Sequence, residues 1–167
     1  DQSFGCWITA DAAGARGYPA RGSRRKGTNM GNLDGKVALV SGASRGQGRS
    51  HALRLAREGA DIIGFDITEA GTVETISYPL GTRAELEETG TLVRQLGRRC
   101  ITSVADARDL EQVEAVVAEA TDQFGGIDIV CANAGIASWA TSWEMTALQW
   151  KEMVDINLTG VFNTVRA

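Results

Sequence analysis

Apolar residues fall along this chain in two kinds of run, and the two alternate. Val37-Ala38-Leu39-Val40, Ile62-Ile63-Gly64-Phe65, Cys100 to Ala105 and Ile127 to Ala132 are short and nearly unbroken, as expected of strands covered on both faces of a parallel sheet. Between them apolar positions recur at helical spacing. Gly48, Ala52, Leu55 and Ala56 share one face, with Gly59 placed as a left-handed cap. Leu86, Val93 and Leu96 mark a second helix ending at Gly97, and Leu110, Val113, Val117, Ala120 and Phe124 a third, with Asp109 as N-cap and Gly125-Gly126 as terminator. A last helix opens on the capping box Thr146-Ala147-Leu148-Gln149 and puts Trp150, Val154, Asn157, Val161 and Val165 on one face. The alternation predicts an α/β fold with a doubly wound parallel sheet of about four strands.

The first strand runs straight into Ser41-Gly42-Ala43-Ser44-Arg45-Gly46-Gln47-Gly48. Glycines at a strand-to-helix junction let the backbone turn sharply, and amides at a helix N-terminus lack intrahelical partners, so a phosphate is the ligand suggested. A P-loop is the nearest rival. In that register Ala43 stands where the first glycine belongs and Arg49 where the lysine belongs, which ranks it low. Asp66 closes the next apolar run about twenty residues on, where a ribose-binding carboxylate is expected of a dinucleotide site.

These residues resemble the short-chain dehydrogenases/reductases. The glycine stretch is similar to that family's Thr-Gly-x-x-x-Gly-x-Gly motif with serine for threonine, and Asp66, Ala105-Asp106, Asn133-Ala134-Gly135 and Asn157 follow in the family's order. The resemblance runs from about Leu33 onward and implies a Rossmann-type sheet. It also implies an NAD-dependent oxidoreductase that moves hydride between a secondary alcohol or carbonyl and the nicotinamide. It stops before the family's catalytic serine and Tyr-x-x-x-Lys pair, so the chain is expected to be inactive alone. A non-catalytic dinucleotide-binding sensor or scaffold is the alternative.

The same resemblance implies residue roles. Gly42, Ser44, Arg45, Gly46, Gln47 and Gly48 would receive the diphosphate, with Ser44 adding a hydroxyl donor. Asp66 would bind the adenosine ribose and repel a 2′-phosphate, favouring NAD over NADP, although Arg45 offers that phosphate a guanidinium. Asp106 would accept from the adenine amino group, beside Ala107 in place of a branched residue. Asn133, Ala134 and Gly135 would shape the floor near the nicotinamide ribose. Asn157 would help hold a water of the proton relay; the plainer reading is an amide satisfying a backbone carbonyl of the sheet. Trp139, Trp143 and Met145 lie where the family contacts substrate, but are read first as packing residues. His51, the single histidine, is given no chemistry.

Thr68 to Thr82 exceeds the family's usual plan by about a dozen residues. It reads as a surface loop. With Gly46-Gln47-Gly48-Arg49-Ser50-His51, it is similar to a subgroup related to carveol dehydrogenase, in which redox carriers of the mycofactocin type are thought to re-oxidise a tightly held nicotinamide.

Composition narrows the rest. Apolar and charged fractions of 43% and 23% are those of a soluble globular protein, and no apolar run is long enough to cross a membrane. Three cysteines without metal-ligand spacing point to a reducing, cytoplasmic setting and to no metal. Five basic and two acidic residues precede Met30, so the net −4 leaves about −7 after it. That balance argues against a nucleic-acid surface. Residues 1–29, without periodicity, are expected to lie outside the fold, with Met30 as the initiator or with a basic tail before it; residues 30–167 form the N-terminal part of the dinucleotide-binding domain. The helix running to Ala167 has no terminal cap, which reads as cut rather than ended, with an unpaired sheet edge beside the fourth strand. The partners expected of the full-length protein are a small alcohol or carbonyl and further copies of itself.

Overall fold

The computed structural model describes residues 8–10, 31–68 and 73–167. Four parallel strands form the sheet: β2 (Val37–Ser41), β3 (Asp61–Asp66), β4 (Cys100–Val104) and β5 (Ile129–Cys131). A short strand, β1 (Ile8–Ala10), joins β5 antiparallel, giving the order β1-β5-β2-β3-β4. The helices are α1 (Gly46–Arg57), α2 (Arg83–Gln95), α3 (Leu110–Phe124), α4 (Ala147–Val154) and α5 (Gly160–Arg166); a π-helical turn, Asp155–Thr159, joins the last two.

The unbroken apolar runs are buried as expected: every residue of β2 is buried, and all of β3 up to Asp66. Alternate residues of each strand feed opposite cores. Ala38, Val40 and Ile62 pack with Ala52, Ala56, Leu86 and Val93 of α1 and α2. Leu39, Ile63 and Phe65 pack with Val113, Val116 and Ala120 of α3. The order places β5 and β3 on either side of β2, so the chain switches direction across the sheet between β2 and β5, and ligands of open α/β sheets bind at such a point.

Local signals were legible. Thr146 makes the expected capping box, Asp109 caps α3 through the amides of Glu111 and Gln112, and Gly125 ends it in the left-handed region; Thr82 adds a capping box at α2 that the sequence reading does not include. Of residues 1–29, expected to lie outside the fold, the structure describes Ile8–Ala10, which pairs with β5 on the edge expected to be open; the rest of that segment lies outside the described residues. A bare edge presents unpaired amides and carbonyls that a nearby extended segment satisfies. Cys6 and Met30 lie outside the described residues.

The face assigned to the last helix also differs. Trp150 and Val165 are exposed, whereas Glu152, Ile156, Gly160, Asn163 and Thr164 are buried. In a straight α-helix, positions four apart drift around the axis, because a turn holds 3.6 residues. The wider turn at Asp155–Thr159 absorbs part of that drift and keeps the spacing-four series against the body of the fold.

Candidate functional site

The C-terminal ends of β2, β3 and β5 open into a cavity of about 680 Å³. Its base is the glycine turn. Gly42 and Gly46 have φ of 68° and 57°, the region that favours glycine. A Cβ on Gly48 would overlap the Gly42 carbonyl oxygen and come 2.8 Å from Asn133 Nδ2. The turn thus closes on itself with no room for a methyl. Beyond it, the first turn of α1 has no side-chain cap, unlike α2, α3 and α4. Its amides are left for an anion approaching over the glycines.

The turn is held from three sides. Ser41 Oγ accepts from the amides of Asn133 (2.9 Å) and Ala134 (3.0 Å), while Asn133 Nδ2 donates to the Ser41 carbonyl at 3.0 Å. These bonds fasten the end of β5 to the end of β2. Arg49 donates to the Ser44 carbonyl through Nε (3.1 Å) and Nη2 (2.7 Å), and reaches Thr89 Oγ1 and the Glu85 carbonyl on α2. It therefore faces α2 and lies outside the cavity lining, which removes the P-loop reading. From β3, Asp66 Oδ2 accepts both the Ser44 amide, at 2.9 Å, and the Ser44 hydroxyl. Ser44, expected to offer its hydroxyl to a ligand, is buried and donates it to Asp66 instead. Burial pushes the Asp66 carboxyl above the ordinary aspartate value, against the bonds from Ser44 and the charge of Arg45.

At the far wall, Asp106 and Ala107 border the cavity in the turn between β4 and α3. The Asp106 carboxylate accepts from Arg108 Nε (3.0 and 2.9 Å) and Nη2 (2.5 Å). On the floor, Asn157 Oδ1 accepts from the Ile136 amide at 2.9 Å and Nδ2 donates to the Ile136 carbonyl at 3.0 Å. The plainer reading of this asparagine is met, with a loop peptide in place of the sheet. A Cβ on Gly135 would lie 2.8 Å from Asn157 Oδ1, so a larger residue there would press on the amide that holds the Ile136 peptide.

The cavity therefore gathers Gly42, Ser44, Arg45, Gln47, Gly48, Asp66, Asp106, Ala107, Asn133, Ala134, Gly135 and Asn157. Gly46 shapes the turn without lining the cavity.

The inserted segment is the main departure from expectation. Residues 73–82 contain no regular element before the Thr82 cap, yet they form a wall of the site: Val73, Tyr78, Leu80 and Gly81 line the cavity. Glu152 of α4, 6% exposed, accepts from the amides of Glu74 and Thr75, both at 3.0 Å, and from Thr75 Oγ1 at 2.5 Å. Burial opposes its charge, and these bonds outweigh burial, holding the carboxyl below the usual glutamate range. Tyr78 accepts from the Ala137 amide at 2.8 Å, and Arg45 Nη2 donates to the Pro79 carbonyl. Arg45 is thus drawn toward the insertion. A buried glutamate and an aperiodic insertion carry no motif, so the sequence does not mark Glu152, Tyr78 or Gly81 for the site, and it marks Arg49 only as a departure from the P-loop.

Trp139 and Trp143 are 82% and 85% exposed and lie outside the cavity lining, so the packing reading fails for both. The Cys100 thiol is pushed up to about 12 by burial, which leaves it a small hydrophobe. Among the described residues no group of three His, Cys, Asp or Glu is placed to hold a metal ion, and no helix is long and apolar enough to cross a membrane.

A family model described as short chain dehydrogenase matches residues 36–167. The (-)-trans-carveol dehydrogenase of Rhodococcus erythropolis is 50% identical over 138 residues, 82% of this chain and 49% of that protein. An uncharacterised NAD-dependent oxidoreductase of Mycobacterium tuberculosis is 47% identical over 137 residues, 82% of this chain and 50% of that protein. Among solved structures, carveol dehydrogenase from Mycobacterium avium in complex with NAD superposes with a TM-score of 0.78 at 47% identity, over 82% of this chain and 49% of that one. The chain spans about half the length of the curated relatives it matches.

Proposed function

Since the chain belongs to the short chain dehydrogenase family, we propose that it is the cofactor-holding half of an NAD-dependent oxidoreductase acting on a small secondary alcohol or carbonyl compound. The observation that carries this reading is the closed glycine cradle under the uncapped first turn of α1, with the Asp66 carboxylate at its side. NAD supplies hydride chemistry; the chain supplies position and charge. Gly42, Gly46, Gln47 and Gly48 give the diphosphate a backbone it can approach closely. Asp66 Oδ2 is taken by Ser44, so Oδ1 is the oxygen that receives the adenosine ribose hydroxyls. Arg45 Nη2 is engaged by the Pro79 carbonyl, which competes with a 2′-phosphate for that donor. Asn157 spends one lone pair of Oδ1 on Ile136, and the other is available to a relay water.

The proton donor of this reaction lies outside these residues in our reading. Tyr18 is followed four positions later by Gly22 and Tyr78 by Thr82, so neither stands in a Tyr-x-x-x-Lys pair. Calorimetry with NAD and NADP tests the binding half of the proposal: NAD binds at least tenfold more tightly, and equal affinities would overturn it. Reading the codons after Ala167 in frame tests the rest, with a serine and a Tyr-x-x-x-Lys pair expected.

Asp66→Asn removes the charge but keeps an acceptor for Ser44. Discrimination against NADP should fall about tenfold, roughly 1.4 kcal/mol, while NAD affinity drops less. Because burial raises the Asp66 pKa, its charge is lost at a higher pH than for an ordinary aspartate. Discrimination by the native chain should therefore weaken as pH falls toward that value, and the variant's should stay flat. A parallel pH profile for both proteins would show that the carboxylate charge is not the discriminator.

A further inference from the structure

Asn163 lies on α5, outside the cavity lining, and is buried at 5% exposure. A buried amide commonly satisfies its own helix or a neighbouring strand. This one does neither: Nδ2 donates to the carbonyls of Ala107 and Arg108, both at 3.0 Å. Those two peptides belong to the turn that presents Asp106 and Ala107 to the cavity. The rest of that turn is fixed from other directions. The Asp106 amide donates to Gln112 Oε1 at 3.0 Å, and Arg108 grips the Asp106 carboxylate. One turn before Asn163, Gly160 packs so closely that an added Cβ would lie 3.1 Å from the Ala107 Cβ.

The same helical run carries Asn157, which holds the Ile136 peptide of another loop that lines the cavity. Two asparagines six positions apart thus each fasten a loop of the site, Asn157 from within the π-helical turn and Asn163 from α5. A side chain with two donor hydrogens on one nitrogen suits a pair of adjacent carbonyls; aspartate at the same place has acceptors only.

We propose that Asn163 is a positioning residue for the adenine end of the cofactor, holding the Asp106–Arg108 turn at the height where it meets the adenine ring. The proposal rests on the NAD reading above and extends it to a residue that touches no ligand. Its signature is an effect confined to one end of the dinucleotide. A residue of general structural value would weaken all ligands together.

The test is ligand-observed NMR and calorimetry on the 167-residue chain with NAD, AMP and nicotinamide mononucleotide. Asn163→Asp and Asn163→Ala should each weaken AMP and NAD about tenfold and change nicotinamide mononucleotide less than twofold. Gly160→Ala provides a variant that favours the helix while pressing on Ala107, so it keeps the test open if the Asn163 variants do not fold; AMP should weaken about threefold with the mononucleotide unchanged. Equal losses for AMP and the mononucleotide, or unchanged AMP in all variants that fold, would overturn the proposal. Failure of the native chain to bind NAD or AMP would overturn the cofactor reading itself, and is seen before any variant is made.

Discussion

Gly48→Ala should abolish NAD binding, with affinity reduced at least 100-fold, about 2.8 kcal/mol. The reason is that nothing near the new methyl can yield. Its nearest neighbours are the carbonyl oxygen and carbon of Gly42, themselves part of the turn, and then Asn133 Nδ2, which is bonded to the Ser41 carbonyl. Relief requires Gly42 to move, and Gly42 sits between β2 and the floor loop: a Cβ on it would approach Ala134 Cα within 3.0 Å. The backbone that faces the diphosphate is therefore displaced whichever partner gives way. Circular dichroism separates this from global unfolding, which matters because Ala43 of the turn belongs to the core beneath α1. A Gly48→Ala chain that folds and binds NAD within threefold of the native one would show that the turn is not the phosphate cradle.

The largest stability effect is expected at the other end of the sheet. Asp61, at the start of β3 with a side chain 3% exposed, accepts from the Arg99 amide (3.0 Å) and from Arg99 Nε (2.8 Å) and Nη2 (2.6 Å), and pairs with Arg98 Nη2 at 3.0 Å. Asp61→Asn should cost about 3 kcal/mol, the lower end for breaking a buried ion pair because Arg99 is half-exposed. For a chain of this size that is a fall in Tm of roughly 6–12 °C.

The pH dependence fixes the sign. Burial works against the Asp61 charge, but the Arg99 bonds and the Arg98 and Arg99 charges outweigh it, so the folded-state pKa is lowered. The folded protein holds that proton less tightly than the unfolded chain. The stabilisation is therefore complete above the unfolded value of about 3.9 and is lost as pH falls toward the folded one. Denaturation curves of native and Asp61→Asn chains should converge below about pH 4. A gap of constant size down to the acid transition would assign the loss to packing instead of charge.

The strands and the glycine turn were legible because burial on both faces of β2 and β3 leaves no polar position in their runs, and because the turn needs glycine where φ is positive or backbones touch. The caps Asp109 and Thr146 were equally local. What could not be read depends on direction. Arg49 in the sequence is a cation beside a phosphate motif; in the fold it turns back to the Ser44 carbonyl and α2. Ser44 is a hydroxyl in the right place whose proton is already taken by Asp66. Residues 73–82 have no period because their bonds go to Glu152, Ala137 and Arg45 rather than to one another, so a wall of the site looked like a surface loop. The inward face of α4 and α5 was misassigned because a π-helical turn has no composition of its own.

The strand Ile8–Ala10 sets a condition on anything else that approaches β5. An edge offers one row of donors and acceptors, and β1 occupies three residues of it, Ile129, Val130 and Cys131. A strand that is to pair with β5 itself, from this protein or another, has to exchange with β1. Three rungs make a weak hold, so a longer strand with more pairs to offer should displace β1 from this edge.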